Sequence, residues 1–332
     1  MLPPPGVDYT RTARRLPWTA LPAAVRHRFA AVLRAPVESA APAGGGFTHG
    51  FAAVLSGAGR SLFAKAAPST DSNIFAAYVR EAEVLSALPA GLPIPVLHSA
   101  DRITHEGTQW QLLSFEAVDG YMPGQPWTAA DLRAVHDSLL AVQSALRHLP
   151  ASLSGGSMVD EFFGDRAVTD VFGQFALNGG PPAYLPRLTT AHLADLRELG
   201  SLGREALAGD SVLHNDLRAD NIIISAASSI PAQALFCDWN FLSTGPAWAD
   251  WVALLVYPRH AGIDVDPWLA ESPLSAAANP DHIDAWLAAL AAYMITSGAQ
   301  AELVTSPHLR THQKFTAHLL IDWLSERRKW DL

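Results

Sequence analysis

The sequence predicts an α+β protein of two lobes, with an antiparallel sheet and one helix first and a mainly helical part after it. Three observations predict this. Residues 37–66 alternate short apolar runs with glycine and turn formers, and read as strand, glycine loop, strand, turn, strand. Residues 116–124 (EAVDGYMPG) are rich in glycine and proline and read as a connector between lobes. Beyond them, apolar residues recur at helical spacing almost to the end. A chain of 332 residues, 49% hydrophobic and 17% charged, is long and apolar enough for two folded lobes. The expected division is residues 1–115, 116–124 and 125–332.

Each element has a local reason. Residues 21–34 carry helical periodicity. A short strand at 37–41, closed by Pro42, leads into the loop AGGGFTHG at 43–50, and strands at 51–55 and 61–66 flank a turn at 56–60. Lys65 stands in the third strand, and it is one of three lysines in a chain that otherwise uses arginine. A snorkelling edge-strand lysine would be the ordinary explanation. Residues 73–88 (NIFAAYVREAEVLSAL) form an amphipathic helix with Ile74, Tyr78, Glu81 and Leu85 in one stripe. Glu81 can therefore reach Lys65, whereas Glu83 lies toward the opposite face. Strands are expected at 93–99 and 109–115.

In the second part, Thr128 with Asp131 caps a helix running to about His148. Residues 151–187 are rich in glycine and proline, hold Asp160, Glu161, Asp165 and Asp170, and read as a mobile segment on the substrate side. Helices follow at 190–208, 247–257, 280–297 and 308–330. Two apolar runs, 222–224 and 234–237, read as a hairpin.

Composition excludes several classes. The single cysteine, Cys237, lies in an apolar run and reads as a buried hydrophobe in a reducing cytoplasm. No secretory signal opens the sequence and no run of about eighteen apolar residues would span a membrane. Up to Asp119 there are ten Lys and Arg against nine Asp and Glu; beyond it there are thirteen against twenty-three, so the net −9 belongs to the second part. That argues against nucleic acid as a partner and suits a cationic small molecule, although an acidic solvated surface explains most of these residues as well. A monomer or homodimer is expected.

The stretch SVLHNDLRADNIIISAASSIPAQALFCDWN at 211–240 carries the chemistry. His214, Asp216 and Asn221 have H-x-D-x-x-x-x-N spacing, and Asp238 ends the second apolar run. Phosphoryl transfer from a magnesium nucleotide needs this order: a carboxylate beside the acceptor hydroxyl, then an amide oxygen and a second carboxylate for the metal. A polar turn before a hairpin, with His214 a core histidine, is the bland alternative.

Taken in order, the glycine loop, strand lysine, helix glutamate, connector, H-x-D-x-x-x-x-N and post-strand aspartate resemble the aminoglycoside phosphotransferase family. These are small-molecule kinases with a protein-kinase-like fold. HNDLRADN at 214–221, DWN at 238–240 and Asp250 in GPAWADWVALL carry the resemblance, with support from Lys65, from Glu81 in REAEVLSAL, and from SFEAVDG. It implies Asp216 as the base that orients the acceptor hydroxyl, and Asn221 and Asp238 as Mg²⁺ ligands. Lys65 would bind the α/β-phosphates of ATP or GTP with Glu81 fixing its rotamer. Gly46 and Thr48 of the loop would cover the phosphates, and the backbone of Glu116 and Val118 would meet the adenine edge. His214 and Asp250 would brace the catalytic loop.

The departures are informative. Trp239 and Asn240 replace the Phe and Gly of D-F-G, Asn215 precedes Asp216, no A-P-E follows, and eleven residues separate Asp238 from Asp250. That gap leaves no room for a phosphorylatable activation loop, which argues against a protein kinase. Arg218 either neutralises the γ-phosphate or pairs with Asp220. The implied acceptor is a small-molecule hydroxyl, foremost of an antibiotic such as an aminoglycoside, which would make the enzyme one of antibiotic resistance. A metabolic kinase for choline, homoserine or a sugar, and a non-catalytic nucleotide-binding protein, are the alternatives. Candidate acceptor contacts are the acidic residues of 157–170, Asp264, Asp266, Glu271, Asp322, Glu326 and Trp239.

Overall fold

The computed structural model describes the chain except residues 1–6, 8, 10, 11, 154, 165–169, 176, 178, 227–231 and 332. The two-lobed α+β architecture is the one observed. Helix α1 (Ala23–Leu33) buries Val25, Phe29 and Leu33 at four-residue spacing and ends where Arg34 turns left-handed. Strands β1 (Ser39–Pro42), β2 (Phe51–Gly57), β3 (Arg60–Pro68), β4 (Leu97–His105) and β5 (Thr108–Glu116) form one antiparallel sheet in the order β1-β2-β3-β5-β4.

Period two sorts β3 into two faces. Leu62, Ala64 and Ala66 join the α1 side chains in one apolar cluster. Ala67 joins Ile74, Tyr78 and Ala82 of helix α2 (Ser72–Ala87), together with Leu113 and Phe115 of β5. Lys65 shares that second face. The strand expected at 93–99 is instead β4, later and longer. Its strict alternation of half-buried and exposed positions marks a sheet edge, so no apolar run announces it.

The connector is more than a link. Its β6 (Gly120–Tyr121) pairs with β9 (Ile222–Ser225), and Ala226 N donates to Asp119 O at 2.8 Å. A Cβ at Gly120 would fall 2.4 Å from the Ile224 carbonyl, so glycine is required for this close approach. Helix α3 (Ala129–Ala145) begins with the expected capping box of Thr128 and Asp131. After β7 (Gly156–Ser157), the region 151–187 holds α4 (Met158–Phe163) and α5 (Val171–Phe175), whose Phe162, Phe163, Phe172 and Phe175 are buried. These parts of the expected mobile segment are therefore core; Asp165 lies outside the described residues.

Helix α6 (Thr190–Ala206) leads to β8 (Ser211–Leu213), and β9 and β10 (Ala234–Phe236) form the predicted hairpin. Strand β11 (Ser243–Gly245) pairs antiparallel with β8 and parallel with β7. Then come α7 (Ala249–His260), α8 (Asp266–Glu271), α9 (Pro280–Gly298) and α10 (Leu309–Arg327). Every residue of α9 from Ile283 to Ala292 is buried, which places it in the middle, against α6 and α10. Among the described residues no helix is long and apolar enough to cross a membrane.

Candidate active site

Two adjoining cavities meet where the lobes face each other. The first, about 470 Å³, is lined by the glycine loop, Lys65, Glu81, residues 115–118 and Asp238. The second, about 320 Å³, is lined by Asp216, Arg218, Glu161 and several aromatic residues, and shares Thr48 and Asp238 with the first.

The strand lysine and helix glutamate meet as expected. Lys65 Nζ lies 2.8 and 2.9 Å from the two Glu81 oxygens and also bonds the Asp238 carboxylate. Lys65 is 6% exposed and Glu81 2%, so the pair is fully inside, while Glu83 pairs with Arg80 on the exposed face. Burial alone would lower the Lys65 pKa, but the Asp238 and Glu81 charges outweigh it and carry it up. Burial pushes the Glu81 carboxyl up against the pull of Lys65. Asp238 is held below the usual carboxylate range because Lys65 overrides the effect of its burial.

The loop at 214–221 is braced by Asp250. Asp250, in the first turn of α7, accepts from His214 N at 2.7 Å and from Asn215 N at 2.9 Å. His214 Nε2 lies 2.7 Å from the Cys237 carbonyl and Nδ1 accepts from Asp216 N at 3.3 Å, which fixes the Nε2–H tautomer. Burial keeps this histidine neutral by lowering its pKa. Trp239 is 1% exposed, donates to the Phe236 carbonyl at 2.9 Å and packs on His214, so it belongs to the core. Asn215 and Asp238 both have left-handed φ, 61° and 64°, a conformation that Asn and Asp tolerate best among side-chain-bearing residues.

Asp216 points into the second cavity with its carboxylate held on two sides. Asn221 Nδ2 donates to Asp216 Oδ2 at 3.0 Å and to its carbonyl at 2.8 Å, and Arg218 Nη1 bonds Oδ1. Arg218 also grips Asp220 with two bonds of 3.0 Å and lies 5.5 Å from the Phe47 ring. Of the two alternatives for Arg218, the pairing with Asp220 is observed, and the same guanidinium also holds Asp216. Burial, opposed by Arg218, raises the Asp216 pKa to about 6, so it remains ionised at neutral pH.

The two residues expected to hold a metal, Asn221 and Asp238, fit Mg²⁺ by donor chemistry. The Cys237 amide donates to the Asn221 carbonyl at 2.9 Å, so the hairpin brings Asn221 and Asp238 to one end. With its Nδ2 directed at Asp216, Asn221 has its side-chain oxygen left for a cation. One amide and one carboxylate oxygen suit an ion that keeps most of its waters, and no cluster of three His, Cys, Asp or Glu forms a cage among the described residues.

At the expected adenine edge, Glu116 N donates to Val96 O and Glu116 Oε1 accepts from Val96 N, so that amide is already engaged. Residues 117 and 118 remain on the cavity wall. Of the acidic acceptor candidates, Glu161 alone lines the second cavity among the described residues. Asp322 and Glu326 pair with Arg259 elsewhere, beside Asp264 and Asp266. Tyr257, Tyr293 and His312, which also line this cavity, were not singled out from the sequence, because each comes from a core helix with no local motif.

His312 supplies a stability prediction. It is 2% exposed, Tyr9 Oη lies 2.8 Å from its Nδ1, and burial lowers its pKa from 6.5 to about 3. The folded pKa lies below the unfolded one, so its stabilisation is complete above the unfolded value and fades as pH falls toward the folded one. In thermal melts between about pH 7.5 and pH 5, the wild type should lose more stability than His312→Gln. Parallel curves would contradict this.

Comparison with known proteins bears on the family and the fold. The model of the phosphotransferase enzyme family matches residues 39–294. No curated protein matches the sequence significantly. Among solved structures, a thermostable mutant of aminoglycoside phosphotransferase APH(4)-Ia in ternary complex with AMP-PNP and hygromycin B has a TM-score of 0.60 at 12% identity, covering 93% of this chain and 100% of that one. Spectinomycin phosphotransferase APH(9)-Ia with ADP and spectinomycin has a TM-score of 0.56 at 12% identity, covering 92% and 98%. The GDP complex of an aminoglycoside 2'-phosphotransferase-IIIa mutant has 0.51 at 12%, covering 92% and 97%. At these identities the structures show the shared fold, and the family match covers well over half the chain: the protein belongs to the phosphotransferase enzyme family, as a small-molecule kinase on a protein-kinase-like fold.

Proposed function

We propose that the protein transfers the γ-phosphate of ATP or GTP to a hydroxyl of a small molecule bound in the second cavity, with Asp216 as the base. The observation that carries this is the position of Asp216, fixed by Asn221 and Arg218 in the wall of the second cavity, which shares Thr48 and Asp238 with the first. Residues 1–115 would form the nucleotide lobe, 116–124 the connector and 125–332 the acceptor lobe. A cytoplasmic location is part of the proposal.

In this reading Asp216 accepts a hydrogen bond from the acceptor hydroxyl, aligns its oxygen with the γ-phosphorus, and takes the proton late. Lys65, fixed by Glu81, binds the α/β-phosphates and in doing so loosens its bond to Asp238. Asn221 and Asp238 would hold Mg²⁺, which would offset the negative charge of the phosphates. The loop at Gly46 and Thr48 covers the phosphates, and the backbone near Glu116 and Val118 offers contacts to the base.

The solved relatives bind hygromycin B and spectinomycin, which supports an antibiotic such as an aminoglycoside as acceptor and a role in resistance. One observation favours a second reading. Besides Asp216 and Asp238, the described wall carries Asp250, whose oxygens already accept from His214 N and Asn215 N, and Glu161, while Phe47, Phe241, Tyr257, Trp286 and Tyr293 supply much of the rest. A polycation would leave ammonium groups without partners there, so a metabolic or other alcohol with an apolar face and little charge fits better.

A screen of antibiotic and metabolite alcohols with Mg²⁺ and ATP or GTP should show one acceptor gaining the mass of a phosphoryl group. In parallel, Mg·ATP or Mg·GTP at about 100 times its Kd should add about 2.7 kcal/mol to stability. Absence of both nucleotide binding and transfer would overturn the proposal.

A further inference from the structure

The segment before α1 lies across the glycine loop and adds a cation to it. The Thr12 hydroxyl donates to the Gly46 carbonyl at 2.5 Å, and its amide to the Gly44 carbonyl at 3.3 Å. Arg15 Nε donates to the Ala43 carbonyl at 2.9 Å and Nη1 to the Thr48 carbonyl at 2.7 Å, while Nη2 bonds the Gly45 carbonyl. Gly46 has φ of 80°, and a Cβ there would sit 3.1 Å from Arg15 Nη2. Thr12 and Arg15 precede residues 39–294, the part matched by the family model.

Two consequences follow for the nucleotide cavity. Loop carbonyls turned toward one guanidinium leave the loop amides facing elsewhere, and the N–H groups of residues 44–48 have no partner among the described residues. Arg15 and Lys65 are also the two cations on the described wall of this cavity. The Lys65 charge is met by two carboxylates. Arg15 donates to neutral carbonyls instead, and among the described residues it has no carboxylate partner. The Asp238 carboxylate on the same wall feels the Arg15 charge through space but bonds Lys65, so the guanidinium meets the cleft with no carboxylate bonded to it.

The geometry points to Arg15 as a phosphate-facing cation of the nucleotide site, set into the glycine loop by the N-terminal segment. This rests on the nucleotide-binding reading above. A polyphosphate is the ligand chemistry that answers both an unpaired guanidinium and a row of free amides.

Calorimetry with ATP and adenosine in the presence of Mg²⁺ tests it. Arg15→Gln should weaken ATP roughly tenfold, the loss of one charge-assisted contact, and change adenosine affinity less than about twofold. Arg15→Lys keeps the charge without the fork and should stay nearer the wild-type ratio of ATP to adenosine affinity. Thr12→Val loosens the loop without altering charge and should leave that ratio unchanged. Equal losses for ATP and adenosine in Arg15→Gln, or a fall of the ratio in Thr12→Val as large, would reduce Arg15 to a loop anchor and overturn the inference alone. Should Arg15→Gln not fold, Arg15→Lys carries the test: loss of the fork should weaken ATP more than adenosine, and equal losses would overturn the inference. A wild type that binds neither ligand would overturn the nucleotide reading and this inference together.

Discussion

Replacing Asp216 with alanine is expected to lower kcat by about 10²–10⁴ while leaving Mg·ATP affinity within a few-fold of wild type. The carboxylate lines the second cavity; Lys65 and Asp238 are held by each other and by Glu81, and Asn221 would lose its bond to the carboxylate but keep the one to the Asp216 backbone carbonyl. Arg218 would keep its two bonds to Asp220, so the loop should not collapse. Asp216→Asn retains the shape and most of the hydrogen bonding but not the proton acceptor, and should lose turnover to a similar degree with a smaller change in melting temperature. Measured side by side, turnover and nucleotide affinity separate the roles. An active Asp216→Asn enzyme would remove Asp216 as the base, whereas a parallel loss of nucleotide affinity would make it part of the nucleotide site.

Lys65→Met should be the most destabilising single change at the site. Lys65 stands between Glu81 and Asp238, all within a few ångströms and with Glu81 out of water. Breaking a buried pair by removing one partner costs about 3–5 kcal/mol, because the remaining charge stays without compensation. The Glu81 carboxyl is already pushed up by burial and can take a proton once Lys65 is gone, so the cost should fall at the lower end. The sign follows from linkage. A carboxyl raised in the folded state favours folding at low pH, so the deficit of Lys65→Met should grow as pH rises. Adding Glu81→Gln should recover much of the stability and none of the activity. Denaturant midpoints of the four proteins give the coupling directly. A Lys65→Met protein as stable as wild type would mean that water reaches the pair.

The sequence was most legible where function and local geometry coincide. The loop at 214–221 and the hairpin that carries Asp238 are both local, with their residues close in the chain, and the structure brings them together as their spacing implies. Lys65 and Glu81 were legible through two periodicities, the two-residue repeat of β3 and the helical stripe of α2, which turn both side chains to one side of the sheet. The capping box at Thr128 was likewise a local signal. Less legible were elements whose stability comes from neighbours. Strand β4 alternates at a sheet edge, and α4 and α5 are held by buried phenylalanines within a stretch whose composition reads as loop.

By itself the sequence determined the fold class, the family resemblance, and the set of groups suited to phosphoryl transfer, because these depend on residue types at fixed separations along the chain. Tertiary structure alone decided which groups face each other across long separations. Arg15 reaches the glycine loop, Lys65 bonds Asp238, Glu161 approaches Asn215, and His312 meets Tyr9. It also decided that, of the acidic residues expected to meet the acceptor, Glu161 alone reaches the second cavity among the described residues, where aromatic rings form much of the wall. The physical reason is that periodicity fixes which face a side chain takes within its own element. The partner on the opposite face is chosen by packing of distant segments, and the sequence carries no local signal for that choice.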